Sequence, residues 1–215
     1  LETGFATISA NTGKMRNAGF ELSINSDLLS RQKFNWNLAF NFGTNKNKLT
    51  SFNNGYAALY SASTDAAGLR VGNSTSAIYG YRWAGVDPQT GREQFFDAIG
   101  DIKTASQILA LPITETSILG DRLPDFQGGL INSFNIYDFN LSFNVLYSYG
   151  ASKLVNFADE SDGRNLQNRN QSVNLIDRWQ KPGDITDIPQ LLITRSIVAN
   201  SSRYLYDKSY LKLSN

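Results

Sequence analysis

The sequence predicts an all-β fold, namely an antiparallel transmembrane β-barrel segment with long extracellular loops. Three observations lead to this prediction. Apolar and polar residues alternate with a period of two in several segments. The apolar positions favour large aromatic side chains, and the polar positions favour asparagine, serine and glycine. Short and long connections alternate between the segments, as they do in outer-membrane barrels.

Composition excludes several classes of protein. The 215 residues include 20 Lys+Arg and 19 Asp+Glu, a formal net charge of +1, so the sequence indicates no basic face for nucleic acid. Cysteine and histidine are absent, which excludes disulfides, zinc sites built from these residues, and histidine-based catalysis. No apolar run approaches the roughly 18 residues of a transmembrane helix. We predict no cofactor, no metal site and no enzymatic activity.

The first predicted pair of strands lies near the start of the chain. Phe20, Leu22 and Ile24 alternate with polar residues, and a longer alternating run covers residues 34–43. Its ten residues span about 33 Å at roughly 3.3 Å per residue, which fits a tilted membrane strand. One side of the run carries Phe34, Trp36, Leu38, Phe40 and Phe42, and the other carries Asn35, Asn37, Ala39, Asn41 and Gly43.

The second predicted pair follows the same pattern. Residues 126–136 place Phe126, Leu130, Phe134 and Ile136 on one side, with Asn132 as an exception on that side. The partner run is residues 139–149. Its apolar side carries Phe139, Leu141, Phe143, Val145, Tyr147 and Tyr149, and its other side carries Asn140, Ser142, Asn144, Leu146 and Ser148.

The connections divide into two kinds. Short periplasmic turns are predicted near residues 28–33 and 137–138, and long extracellular loops near residues 48–77 and 152–203. Loops of that length are uncommon in compact soluble domains. Between the pairs, Asp87-Pro88-Gln89-Thr90-Gly91 predicts the turn of a hairpin whose second arm is residues 93–98. That hairpin either crosses the membrane or belongs to an extracellular loop. A last strand is predicted from Ser209 onward.

Alternation alone fits a soluble β-sandwich as well as a membrane barrel. Asparagine is a poor strand former in soluble sheets but suits a wall that faces water, and charge is nearly absent within the alternating runs. We therefore predict that one face meets lipid, through Phe34, Trp36, Phe40, Phe42, Phe139 and Phe143. The other face is predicted to line the lumen, through Glu21, Asn35, Asn37, Asn41, Asn140, Ser142 and Asn144. A sandwich would instead use the aromatic face as its core.

Several motifs resemble those of one transporter family. Residues 11–25, Asn-Thr-Gly-Lys-Met-Arg-Asn-Ala-Gly-Phe-Glu-Leu-Ser-Ile-Asn, resemble a strand motif of SusC-like (RagA-type) TonB-linked outer-membrane transporters. Residues 119–129 are similar to a further segment of that family, and residues 177–184, Asp-Arg-Trp-Gln-Lys-Pro-Gly-Asp, resemble one of its loops. Residues 201–204 and 209–213 complete the same order. Each motif is weak by itself, but their order along the chain is specific.

The resemblance to this family implies an architecture, a function and partners that the residues alone do not predict. It implies part of a 22-stranded barrel in the bacterial outer membrane, from the C-terminal part of the transporter, and the plug and N-terminal domains of the family have no counterpart in residues 1–215. It also implies import of oligosaccharides or peptides with a SusD-like lipoprotein, and energy coupling through TonB by the upstream parts. The partners that we expect are therefore this lipoprotein, TonB and outer-membrane lipid, and no nucleic acid.

The loop with Trp179 is the first candidate for function. The indole offers a flat face for a sugar ring, and Arg178 and Asp184 offer hydrogen bonds to hydroxyl groups or to a partner lipoprotein. Alternatively, Trp179 and Pro182 only pack the loop into a fixed shape. Asp159, Glu160 and Asp162 form a calcium-like cluster, for which a solvated loop is the plainer interpretation.

Three other functions compete with the transporter hypothesis. A soluble carbohydrate-binding or adhesin sandwich would need no detergent for extraction. A glycoside hydrolase needs two acids about 5–10 Å apart, and no predicted strand pairing provides them. A passive porin would differ from a TonB-linked transporter in the energy dependence of its uptake.

Overall fold

A computed structural model of the chain describes residues 11, 13–53, 55, 58–60, 68–155, 170–191 and 198–214. The one α-helix of this part is α1 (Ala105–Leu109), and short 3-10 helices occupy Ile113–Glu115, Val173–Asp177 and Ser202–Tyr204. The strands are β1 (Gly13–Arg31), β2 (Phe34–Phe52), β3 (Ala58–Tyr60), β4 (Gly68–Arg70), β5 (Ala77–Gly80), β6 (Arg82–Val86), β7 (Glu93–Phe96), β8 (Ile102–Thr104), β9 (Ser117–Asp121), β10 (Phe126–Ile136), β11 (Phe139–Tyr149), β12 (Ser152–Leu154), β13 (Leu205–Asp207) and β14 (Tyr210–Ser214).

The largest sheet, here called the wall sheet, has the order β1-β2-β10-β11-β14. All of its neighbouring strands are antiparallel. The predicted pairs β1–β2 and β10–β11 are therefore confirmed. The sheet also joins them directly, because Phe34 of β2 pairs with Ile136 of β10 and Gly43 pairs with Gln127. Residues 53–125 separate β2 from β10 along the chain, although the two strands are neighbours in the sheet.

The short turns lie together at one end of the wall sheet. The first occupies Gln32 and Lys33, and it is narrower than the predicted range 28–33 because β1 continues through a bulge near Asp27 to Arg31. The second occupies Tyr137 and Asp138, as predicted, with a positive φ of 52° at Tyr137. The backbone N–H of Tyr137 donates to the carbonyl of Lys33 at 2.9 Å, so the two turns contact each other.

Most of the remaining described residues form a cap at the opposite end of the wall sheet, comprising residues 68–125, 151–155, 170–191 and 198–208. The predicted hairpin lies in this cap, where β6 pairs with β7 and β7 with β8 in a separate three-stranded sheet. That hairpin is thus not a strand pair of the wall sheet. Asp87 closes the turn, since its backbone N–H donates to Arg92 at 2.8 Å and its carbonyl accepts from Gly91 at 2.8 Å.

The main hydrophobic core of the described residues lies in the cap. It consists of Tyr81, Phe95, Ile108 and Val198, with Trp83, Ala105 and Leu111 packed against it. The helix α1 contributes Ile108, and it begins at a capping box formed by Thr104 and Gln107. None of the described helices is long and apolar enough to span a membrane.

Candidate functional site

The two faces of the wall sheet differ in chemistry. Pairing places the six predicted lipid-facing residues on one side, here called the aromatic face, and the seven predicted lumen-facing residues on the other, here called the polar face. Described residues form no second sheet over the aromatic face, where Phe139 is 78% exposed and Phe20 is 59% exposed. The dry two-layer interior of a sandwich is therefore missing from this part of the chain.

The aromatic rings of this face form two tiers. The cap-side tier runs across four strands through Phe20, Phe42, Phe126 and Tyr149, with centroid distances of 6.5, 5.9 and 5.1 Å between successive rings. The turn-side tier contains Phe34, Trp36, Phe134 and Phe143, with centroids 5.4–6.3 Å apart. Ile24, Phe40, Leu130 and Val145 lie between the tiers. Two aromatic girdles around an apolar band are typical of barrels in outer membranes.

The one amide predicted on the aromatic face is accommodated by the turn-side tier. Asn132 is 6% exposed, and its Oδ1 accepts a hydrogen bond of 3.2 Å from the indole Nε1 of Trp36. An unsatisfied polar group facing hydrocarbon would cost several kcal/mol, on the order of 2–7 by transfer data. The indole therefore makes Asn132 compatible with an apolar surface, a partnership that the alternation pattern did not reveal.

The polar face carries a hydrogen-bonded network of amides, hydroxyls and carboxylates. Asn37 donates from Nδ2 to Asn25 at 3.0 Å and to Asp27 at 2.9 Å. Ser133 and Ser142 lie 3.3 Å apart across β10 and β11. Donors and acceptors of both kinds thus line this face, which suits contact with water and with polar solutes.

Trp179 braces the cap instead of presenting a free ring. Its Nε1 donates to the carbonyl of Pro88 at 2.9 Å, and its ring covers Gly91 so closely that a Cβ there would lie 2.4 Å from the indole. Backbone bonds from Gly183 to Pro88 and from Gln190 to Gly91, both 2.9 Å, hold the same two loops together. The packing interpretation of Trp179 is favoured, because one ring face and the indole N–H are already engaged.

The two charged candidates beside Trp179 also form hydrogen bonds within the same loop. Arg178 donates from Nη1 to the carbonyl of Leu175 at 2.9 Å. The carboxylate of Asp184 accepts from the backbone N–H groups of Gln180 and Lys181, each at 2.9 Å, and these bonds hold the pKa of Asp184 below its usual value. Both residues line a shallow cleft of about 380 Å³, together with Ile176, Asp177, Gln180, Ile185 and Thr186.

A buried ion pair in the cap was not among the predicted site residues. Arg203 contacts Glu93 with 2.8 Å between Nη1 and Oε1, and their side chains are 11% and 3% exposed. The guanidinium also lies 5.1 Å from the ring of Trp83. The pair joins β7 to the short helix before β13. Nothing in the spacing of the two residues along the chain predicts their contact, although Arg203 belongs to a segment that resembles the SusC-like family.

A metal centre finds no support in the described residues. No group of three or more acidic, histidine or cysteine side chains there is arranged to hold an ion. The calcium-like cluster Asp159, Glu160 and Asp162 lies outside the described residues, as does much of the predicted loop 152–203.

The chain is similar to several known proteins over nearly its whole length. It is 28% identical over 236 aligned residues to TonB-dependent receptor P3 of Formosa agariphila, covering 99% of this chain and 22% of that receptor. To TonB-dependent receptor P39 of the same organism it is 27% identical, covering 98% of this chain and 24% of that receptor. The solved RagAB peptide transporter superposes with a TM-score of 0.81 at 22% identity, covering 97% of this chain and 23% of that chain.

The chain is similar to a segment of TonB-dependent receptors over nearly its whole length, and its fold matches part of the RagAB transporter. It is here called the receptor segment. This receptor segment spans about a quarter or less of the relatives that it matches. The RagAB peptide importer in its closed-closed state superposes with the same TM-score of 0.81, and in its open-open state with 0.78. No protein-family profile matches the receptor segment.

Proposed function

We propose that the receptor segment forms part of the barrel wall of a TonB-dependent transporter that imports peptides or oligosaccharides across the outer membrane. The observation that carries this proposal is the two-faced wall sheet. Its aromatic face is open and arranged in two tiers, and its polar face presents amides and hydroxyls. A one-sheet wall with this asymmetry separates hydrocarbon from an aqueous lumen.

The dimensions of the wall sheet support its place in a bilayer. Phe34 and Phe42, which mark the two tiers on β2, are eight residues apart, or about 26 Å along the strand. A strand tilt near 45° converts this length to a height of roughly 19 Å between the two tiers, which fits within the apolar band of an outer-membrane barrel, about 25 Å. The short turns then face the periplasm, and the cap faces the cell exterior.

The chemistry of the polar face fits polar oligomers as the transported solutes. Groups such as Asn37, Ser133 and Ser142 combine donors and acceptors, which match both peptide bonds and sugar hydroxyls. The name of the RagAB peptide importer favours peptides as the first class to test. A SusD-like lipoprotein over the cap and TonB at the periplasmic side complete the proposed transporter.

The test is uptake by cells that carry the full-length receptor. Labelled oligopeptides and labelled oligosaccharides are supplied separately to cells with the receptor, without it, and without its neighbouring lipoprotein. We expect receptor-dependent uptake of one class, abolished by a protonophore that dissipates the inner-membrane gradient. Uptake that persists at full rate with the protonophore would contradict TonB coupling and favour a passive porin.

A further inference from the structure

A group of cations lies on the outward side of the wall sheet next to the cap. It consists of Lys14 and Arg16 on β1 and of Lys46 and Lys48 on β2, and is here called the basic cluster. The register sets its position, because Arg16 pairs with Lys48 in the same alternation that pairs Leu22 with Phe42. The basic cluster therefore continues the aromatic face beyond its cap-side tier.

The four cations have no acidic partner within the described part of the chain. All four residues are exposed, and the ion pairs of that part join other residues. Arg16 and Lys48 are direct cross-strand neighbours, an arrangement of like charges that destabilises a sheet unless an anion lies between them. The nearest acids on β1, Glu21 and Asp27, lie on the polar face.

The opposite side of the same strands is occupied by the cap. Thr75 contacts Met15 at 3.5 Å, and its backbone N–H donates to the side chain of Asn47 at 2.8 Å. The N–H of Leu49 donates to Asn73 at 2.9 Å. The cap thus covers the inward side of this stretch, whereas its outward side carries the basic cluster and stays open.

The height of the basic cluster matches the headgroup layer. Lys46 is four residues beyond Phe42, or about 13 Å along the strand, which a tilt near 45° reduces to roughly 9 Å above the cap-side tier. Headgroups add about 5–8 Å to each side of the hydrocarbon core. Long basic side chains can also bend toward the interface. Lys46 therefore reaches lipid phosphates, whereas Arg16 and Lys48, which pair with each other farther along the strands, reach the outer part of a large headgroup.

We propose that the basic cluster binds the phosphate groups of a phosphorylated glycolipid in the outer leaflet. This proposal rests on the orientation given under Proposed function. Cations beside a membrane surface each contribute attraction to anionic lipid, and adjacent cations on one face share a multiply charged headgroup. The ligand anchors the cap-proximal end of β1 and β2 to the surrounding leaflet.

The test uses full-length receptor in detergent, titrated with lipid A and followed by native mass spectrometry. Lipid A with two phosphates is compared with enzymatically dephosphorylated lipid A. The variant R16Q/K46Q/K48Q removes three cations of the basic cluster. The matched control R92Q/K153Q/K208Q removes three exposed cations of the cap. Inorganic phosphate is added as a competitor in a separate series.

The expected result is that native receptor prefers the diphosphorylated lipid by about tenfold or more. The cluster variant loses this preference and the control variant keeps it. An equal preference in the cluster variant would overturn the proposal, and so would loss of the preference in the control. If millimolar inorganic phosphate displaced the lipid completely, the basic cluster would be a site for free phosphate, and the lipid-binding proposal would be wrong.

A second measurement separates this proposal from the proposed function. A fluorophore on Leu130→Cys lies on the aromatic face, opposite Phe40 of β2. Quenching of this label by brominated lipid shows that the face meets the bilayer. If the label is quenched and the cluster variant still prefers the diphosphorylated lipid, only the lipid-binding proposal is refuted. Without quenching, the membrane orientation itself would be wrong.

Discussion

Gly91 is where the loop of Trp179 meets the hairpin turn of the cap. Its φ is +66°, in the left-handed region, and the indole of Trp179 fills the space where a side chain would start. The sequence predicts the turn at Gly91 but does not predict its contact with Trp179. The Asp-Pro-Gln-Thr-Gly pattern predicted the turn, and the motif around Trp179 was recognised, but their contact is a property of the folded chain.

The substitution Gly91→Ala tests whether Trp179 is a structural brace. A left-handed alanine costs roughly 1–2 kcal/mol, and the added methyl group also displaces the indole. We expect faster trypsin cleavage after Arg178 in the folded receptor, together with a shifted tryptophan emission.

The matched control is Gly85→Ala. Gly85 also has a positive φ, of 110°, but its added Cβ would meet nothing within 4 Å. It should therefore leave cleavage after Arg178 almost unchanged. If both variants opened the loop equally, the cause would be backbone strain in the hairpin and not the loss of the contact with Trp179.

The observed strands are longer than the alternation of apolar and polar side chains predicts. Alternation indicated strands at residues 20–24 and 34–43, whereas β1 and β2 run over Gly13–Arg31 and Phe34–Phe52. At the cap end, the extensions lie where the outward residues change from aromatic to basic, at Lys46 and Lys48. The apolar alternation ends there, but backbone pairing continues, because ladder hydrogen bonds do not depend on side-chain polarity.

The proposed orientation of β2 is tested by charge at two neighbouring positions. Phe40→Lys puts an ammonium group on the aromatic face between the two tiers, at an expected cost of about 2–4 kcal/mol. Asn41→Lys puts the same group on the polar face, where water solvates it, with little expected effect. The measurement is urea unfolding of the full-length receptor in liposomes, followed by heat-modifiable mobility on gels. Equal destabilisation by both variants would contradict the assignment of the faces.

At the scale of the whole molecule, the wall sheet is open on both sides among the described strands. β1 and β14 are its edges, and β14 pairs only with β11. Unpaired backbone groups in a bilayer cost several kcal/mol each. A barrel wall of this kind therefore requires further strands beside β1 and β14.

We expect residues 1–215, produced alone, to aggregate without detergent and to give no heat-modifiable band after refolding into liposomes. Full-length receptor refolded in parallel should give that band, because its remaining strands satisfy both edges. A monomeric, detergent-free product from residues 1–215 would instead favour the soluble sandwich.

The sequence by itself determined the local periodic features: which runs are strands, which of their residues share a face, and where the tight turns lie. These follow because side chains alternate along a strand and turns need particular residues. The tertiary structure decided the contacts between distant parts of the chain. β2 lies beside β10 across residues 53–125, Arg203 meets Glu93, and Trp179 lies on Gly91. Such contacts depend on how whole elements pack in space, and no short-range pattern in the chain encodes them.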